Sequence, residues 1–285
     1  MTGKLSVYKI KKITFKFLRT TLMLGLAFIF IFPIIFMFVS SLKPEELVSR
    51  DMQSILALIP RQVTFSNYLE VFNEMPFHRF MLNSIIIVGC IVVFGNLINS
   101  MAAYALARLR WKCKKIFLSI IIASMIIPFE AISIPLLLEV NTFGWIDTYL
   151  AQIIVFIAVP FNIFLFHQFF VDIPKDIEAA ARIDGAGNFR IFFQIILPLS
   201  KPVMAAVSIL TFIRQWGNFL WPLMVTRGFE VRPLPVAMNT FFGLYPRNWG
   251  NIMAFASLIT LPVLILFLVL QKWFVKSVSV SALKG

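Results

Sequence analysis

Acidic side chains are scarce: 13 Asp and Glu stand against 26 Lys and Arg, and charged residues make up only 14% of the 285-residue chain. A soluble domain has about a quarter of its residues charged, so this composition excludes an ordinary water-soluble globule. Cysteine is nearly absent as well. Cys90 falls in an apolar run and Cys113 beside a Lys-rich turn, surroundings too different to share one disulfide, and both are read as free thiols. The two histidines, His78 and His167, are far apart, and there is no His-Glu-x-x-His or Gly-x-Ser-x-Gly motif, which removes common zinc and serine chemistries. A phosphate-cradling Gly-x-x-x-x-Gly-Lys-Ser/Thr loop is also missing, since the one Gly-Lys pair, Gly3-Lys4, has no glycine upstream. No catalytic or metal-binding constellation is expected. The first apolar run lacks a small-residue cleavage site and is long enough to span, so no cleavable signal peptide is expected either.

What is present is apolar length. The chain is 60% hydrophobic with a mean hydropathy of +0.89. Six runs of about the 20 residues needed to cross the hydrocarbon core lie at approximately 21–41, 84–107, 116–138, 149–171, 202–225 and 253–275. They are continuously apolar rather than alternating, which excludes membrane strands. The expected class is an all-α polytopic membrane protein of six transmembrane helices. Residues 1–20 form a basic tail, 21–275 the membrane domain and 276–285 a second tail.

The net charge of +13 does not form one basic stripe, so no nucleic-acid partner is expected. The basic residues flank the apolar runs instead. Six precede the first run, five lie at 108–115, four at 175–201 and three after residue 271, eighteen in all on one side; the other side has seven, and Arg214 falls inside a run. By the positive-inside rule both termini are expected in the cytoplasm of a multi-pass cell-membrane protein. The Lys112-Cys-Lys-Lys115 turn is read as a topology signal in contact with lipid headgroups.

On the same side lies a patterned segment, 173–198. Pro174 precedes Glu178-Ala-Ala-Ala-Arg182, a sequence of high helix propensity. Gly185 and Gly187 mark a turn, and Asn188 is placed to cap a second helix running to Ile196 before Pro198. A helix-turn-helix is expected at the cytoplasmic face. Ala179, Ala180 and Ala181 leave a low surface for a partner's groove, with Glu178, Arg182 and Asp184 for polar contacts. The same pattern also suits an amphipathic linker on lipid headgroups.

The segment resembles the cytoplasmic loop signature of permease subunits of binding-protein-dependent ABC importers: Glu-Ala-Ala, three residues, Gly, nine residues, Ile-x-Leu-Pro. Gly185 is followed by nine residues and then Ile195-Ile-Leu-Pro198. The three residues before Gly185 put the triplet on Ala179-Ala180-Ala181, so the acidic residue, Glu178, is displaced by one position, a rotation of about 100° on a helix. Asn67-Tyr68, Pro76-Phe-His-Arg79, Ala103-Tyr-Ala-Leu-Ala-Arg108, Trp216-Gly-Asn-Phe-Leu-Trp-Pro222 and Gln271-Lys-Trp-Phe274 resemble the sugar-importing branch, in particular the second, six-span permease of maltose-type systems. The resemblance implies the type I importer permease fold with 173–198 as a coupling loop. It implies a second homologous permease, two ATPase subunits that bind ATP and magnesium, an extracytoplasmic solute-binding protein and a sugar or oligosaccharide substrate. No cofactor is implied on this chain.

Within the runs, Glu130 and Arg214 are charges in hydrocarbon, which are costly and commonly functional. Either lines a substrate path or bonds internally, and Arg214 also has the option of snorkelling. Trp216 and Asn218 join them as pathway candidates, with interfacial anchoring as the usual alternative for Trp. Two other classes compete with this one. An ion-coupled secondary transporter predicts inverted repeats or interrupted helices around a midplane site, and neither is evident in the sequence. A non-transporting membrane scaffold would use the same loop to hold a cytoplasmic partner.

Overall fold

A computed structural model describes residues 2–282, with side chains described for 14–269. Among the described residues the regular structure is helical throughout. In chain order the helices are α1 (Thr2–Ser41), α2 (Glu45–Asp51), α3 (Ser66–Glu74), α4 (Phe77–Arg108), α5 (Lys114–Ser124), α6 (Phe129–Thr142), α7 (Tyr149–Ile153), α8 (Pro160–Asp172), α9 (Lys175–Ile183), α10 (Asn188–Ile191), α11 (Leu197–Leu199), α12 (Lys201–Trp216), α13 (Leu220–Val225), α14 (Leu234–Phe242) and α15 (Trp249–Ala282). Among the described residues two compact units are distinguished: residues 2–75 with 241–261, and residues 76–240 with 262–282.

Three of the six expected spans are single helices: Thr14–Ser41 within α1, α4, and Trp249–Val269 within α15 are each long and apolar enough to cross a bilayer. The other three need correction. The run 116–138 is broken at Met125–Pro128 and bends by 105° between α5 and α6, and 149–171 is broken before Pro160 and bends by 42°. The run 202–225 is not one helix either. α12 ends at Gly217, and its partner in a bent pair is the preceding segment Asn188–Leu199, at 75°. Hydropathy averages over a window and does not register a backbone break, whereas Pro128 and Pro160 each remove a helical N–H and Gly217 favours termination. Interrupted helices are therefore present, contrary to the sequence expectation.

In the first unit the 42–75 segment folds as α2, a 3-10 turn over Ile55–Leu58 and α3. Its centre is Lys43, which is fully buried. The ammonium pairs with Asp51 at 3.1 Å and donates to the carbonyls of Leu56 and Ala57, so the desolvated charge has several acceptors. Asn67 donates to the carbonyls of Ser41 and Lys43. Glu45 accepts the Gly250 N–H and Glu70 accepts from the Asn251 amide, both at 2.7 Å. Gly250 sits so close to Asn67 that a Cβ there would be 2.8 Å from its amide. Close approach requires glycine at that position.

In the second unit α4 packs along α8 and α12. Tyr104, Phe166, Phe170, Ile191, Phe192 and Ile196 are buried in one cluster at the α9–α11 end. Lipid supplies little hydrophobic drive between helices, so polar pairs contribute to association. Asn96 bonds Ser208 Oγ at 2.8 Å and Asn162 bonds Thr211 Oγ1 at 3.1 Å. Asn99 bridges the break before α8, donating to the Ile157 carbonyl and accepting the Val159 N–H, each at 2.9 Å. It satisfies backbone groups that the broken helix leaves open.

Candidate coupling helix and transmembrane cleft

α9 is a short helix with a complete ending. Asp176 and Glu178 occupy its first turn and Arg182 its last, each placed favourably for the helix dipole. Gly185 adopts φ +79°. The Gly185 N–H bonds the Arg182 carbonyl at 3.1 Å and the Ala186 N–H bonds the Ala181 carbonyl at 2.9 Å, the two bonds of a Schellman motif. The turn is as expected, but its far side differs. Gly187, not Asn188, is the capping residue of α10, and Asn188 is already helical. The helix then passes through a π turn, Phe192–Ile196, into α11. Pro198 supplies no N–H for the Gln194 carbonyl, and a widened turn is a usual accommodation. The change of direction comes at Ser200, whose N–H bonds the Ile196 and Leu197 carbonyls.

The faces of α9 differ sharply. Glu178 and Ala181, three residues apart, are buried, while Ala179, Ala180, Arg182 and Ile183 are exposed, as are Asp184 and Phe189 beyond the turn. Glu178 is 6% exposed, with its Oε1 3.0 Å from Arg108 Nε at the end of α4. The geometry is that of an ion pair rather than an aligned hydrogen bond. A second guanidinium nitrogen of Arg108 donates to the Ile173 carbonyl, and Arg182 approaches the other carboxylate oxygen at 3.9 Å. The one-position displacement seen in the sequence thus turns Glu178 inward, where it braces α9 against α4 instead of presenting an acid to a partner. Ile195 and Leu197 are half-buried against the same cluster and Pro198 is exposed. Between α9 and the 105–114 segment lies an open cleft of about 1040 Å³ lined by Arg108, Arg110, Lys114, Lys175 and Arg182.

A second cleft, of about 610 Å³, lies at the helix breaks. Its lining includes Met125 and Ile127 from the α5–α6 break, Ala158 and Val159 from the α7–α8 break, and Arg214 from the last turn of α12. Three aromatic rings, Phe129, Phe156 and Phe161, complete much of the wall, the first two in contact at 5.1 Å between centroids. Each contributing stretch falls near the middle of its apolar run.

The four pathway candidates are not gathered in one place. Arg214 lines this cleft. Glu130 is exposed in the first turn of α6, next to Phe129 but not in the lining. Trp216 is buried, stacks on Phe212 at 5.1 Å and lines a different, apolar hollow with Val88 and Ile209. Asn218 donates to Gln215 Oε1 at 3.0 Å and closes the turn after α12. The sequence grouped Arg214, Trp216 and Asn218 by proximity, but residues two apart on a helix face different sides. Arg108 and Asn99 were missed as site-building residues. Arg108 ends an apolar run like any topology arginine, and nothing near Asn99 in sequence marks the break it repairs.

Bent apolar helices, long enough in sum to cross a bilayer several times, with a short exposed helix beside them, are the architecture of a polytopic membrane subunit. The chain belongs to the family of inner membrane components of binding-protein-dependent transport systems, whose model matches residues 95–280. It is 33% identical over 91% of its length, and 93% of the relative's, to the arabinooligosaccharides transport system permease AraQ of Halalkalibacterium halodurans. It is 34% identical to the melibiose/raffinose/stachyose import permease MelC of Bacillus subtilis over 80% of this chain and 84% of that one. In three dimensions it is similar to a chain in the crystal structure of a bacterial ABC transporter involved in the import of the acidic polysaccharide alginate, with a TM-score of 0.84, 27% identity and coverage of 93% and 98%. It is an ABC importer permease subunit.

Proposed function

We propose that this subunit forms half of a saccharide pathway across the cytoplasmic membrane and couples it to ATP hydrolysis on separate subunits. A second, homologous permease completes the pathway, two ATPase subunits dock on α9 and the turn after it, and an extracytoplasmic binding protein delivers sugar or oligosaccharide. Both termini lie in the cytoplasm, supported by the bias of Lys and Arg toward the segments on that side. The observation that carries the reading is the two-sided construction of α9. Its inner face is ion-paired to a membrane helix and its outer face is left open, so a push on the outside is transmitted as rigid-body motion. The names of relatives that import arabinooligosaccharides, melibiose, raffinose and stachyose support the saccharide class. ATP and magnesium belong to the partner, since this sequence has no phosphate-cradling loop.

The test is a reconstituted complex with its binding protein, assayed for saccharide uptake and saccharide-stimulated ATP hydrolysis. Stimulation and uptake by a neutral or acidic oligosaccharide are expected. A complex that assembles, hydrolyses ATP and moves none of them would sink the reading.

A further inference from the structure

Two helix breaks and one arginine meet in the cleft of the second unit, and their depth makes the meeting informative. Irregular backbone at membrane depth is tolerated only where it is buried in protein or lines a water-filled space. Met125–Pro128 and Ile157–Val159 are such stretches, each mid-run, and both border the cleft. Arg214 is exposed there and, among the described residues, has no acidic partner. A guanidinium at that depth is costly against lipid, so the face on which it opens is wet or polar in the assembled transporter. Its volume of about 610 Å³ is within the roughly 300–1,000 Å³ of small-molecule sites.

The lining is chemically one-sided. Ser124 donates its hydroxyl to the Ile121 carbonyl, and the rest of the lining apart from Arg214 is apolar or backbone. Glu130, the nearby acid, lies outside that lining. We propose that the cleft is an anion-selective station on the path, at which Arg214 holds the carboxylate or phosphate of an acidic saccharide while Phe129, Phe156 and Phe161 cover its ring faces. A guanidinium fork binds either group in bidentate fashion, and a neutral sugar gives it no counter-charge. The inference rests on the saccharide-pathway reading above and deepens it.

The test uses proteoliposomes holding the full complex and its binding protein, with three probes of similar length: a neutral oligosaccharide, an oligouronide and a phosphorylated oligosaccharide. Uptake is normalised to the loaded fraction of binding protein, measured separately, so that delivery and passage are distinguished. The native complex should pass at least one anionic probe faster than the neutral one. In Arg214→Gln the anionic-to-neutral ratio should fall roughly 10–100-fold, the usual range for losing a hydrogen bond to a charged group, and Arg214→Lys should keep more of it. The uronide and phosphate arms identify which anion is carried. A native complex that passes only the neutral probe, or an Arg214→Gln complex slowed equally for all three, overturns anion selection while leaving saccharide import standing. No uptake of any probe removes the import reading itself, and this inference with it.

Discussion

Arg108 and Glu178, seventy positions apart, form an ion pair at 3.0 Å with side chains only 3% and 8% exposed. It joins the last residue of α4 to the first turn of α9. Removing one partner of a buried pair leaves an uncompensated charge and costs about 3–5 kcal/mol, whereas replacing both with apolar residues of similar volume is often close to neutral. Arg108→Met and Glu178→Leu should therefore each lower the melting temperature of the purified complex markedly, and the double variant should recover most of the loss. The double variant should still hydrolyse ATP with weaker stimulation by substrate, because α9 then lacks its electrostatic brace. Single changes without thermal cost would show that the pair contributes nothing to holding α9.

Gly185 sets the end of α9 by its left-handed backbone. A left-handed conformation costs an ordinary L-residue about 1–2 kcal/mol, with Asn tolerating it best. Gly185→Asn should retain stimulated ATP hydrolysis close to native. Gly185→Pro fixes φ near −65° and removes the N–H that bonds Arg182, so it should abolish stimulation in a complex that still assembles. Equal activity for the two variants would mean that the turn geometry does not matter to coupling.

How much of this was legible in the sequence depended on the range of the signal. Gly185 and the Ala-rich helix could be read because turn chemistry and helix propensity act within a few residues. The six spans were read as runs, since hydropathy is a property of composition. The breaks at Pro128 and Pro160 were not, because a proline inside an apolar run is also compatible with a kinked but continuous helix, and the outcome depends on neighbours. Asn99 is the neighbour that decides at Pro160, fifty-eight positions from the carbonyl it bonds. The inward turn of Glu178 was signalled by its one-position offset from the family pattern, but its partner Arg108 looks like any arginine at the end of a span. Arg214 and Trp216 line different hollows because residues two apart on a helix face different sides, which chain proximity does not reveal.

Ile183 and Phe189 are 87% and 73% exposed on either side of the α9 turn, large apolar side chains outside the core cluster that the described residues form beside them. Apolar anchors of this kind carry much of the affinity at docking surfaces, about 1–2 kcal/mol or more each. Ile183→Asp and Phe189→Ala should each weaken association with the ATPase subunit roughly tenfold or more, measured by co-purification at graded salt and concentration, with the melting temperature of the isolated permease pair unchanged. Undiminished association of the double variant would remove this surface from the docking site.

Asn99 is fully buried and bonds both sides of the α7–α8 break, the Ile157 carbonyl and the Val159 N–H. Asn99 takes up both backbone groups, and each costs about 1–3 kcal/mol if left unsatisfied. Asn99→Leu keeps the volume and removes both bonds, so it should destabilise the second unit by about 2–6 kcal/mol on the same principle. The break also walls the cleft that Arg214 lines. A loosened break should therefore slow saccharide uptake more than it slows basal ATP hydrolysis, which distinguishes damage to the path from damage to docking. Thermal unfolding in detergent, together with uptake and hydrolysis in the same preparation, checks both parts. A variant as stable as the native chain would mean that the carbonyl and N–H find other partners and that the break is held by packing alone.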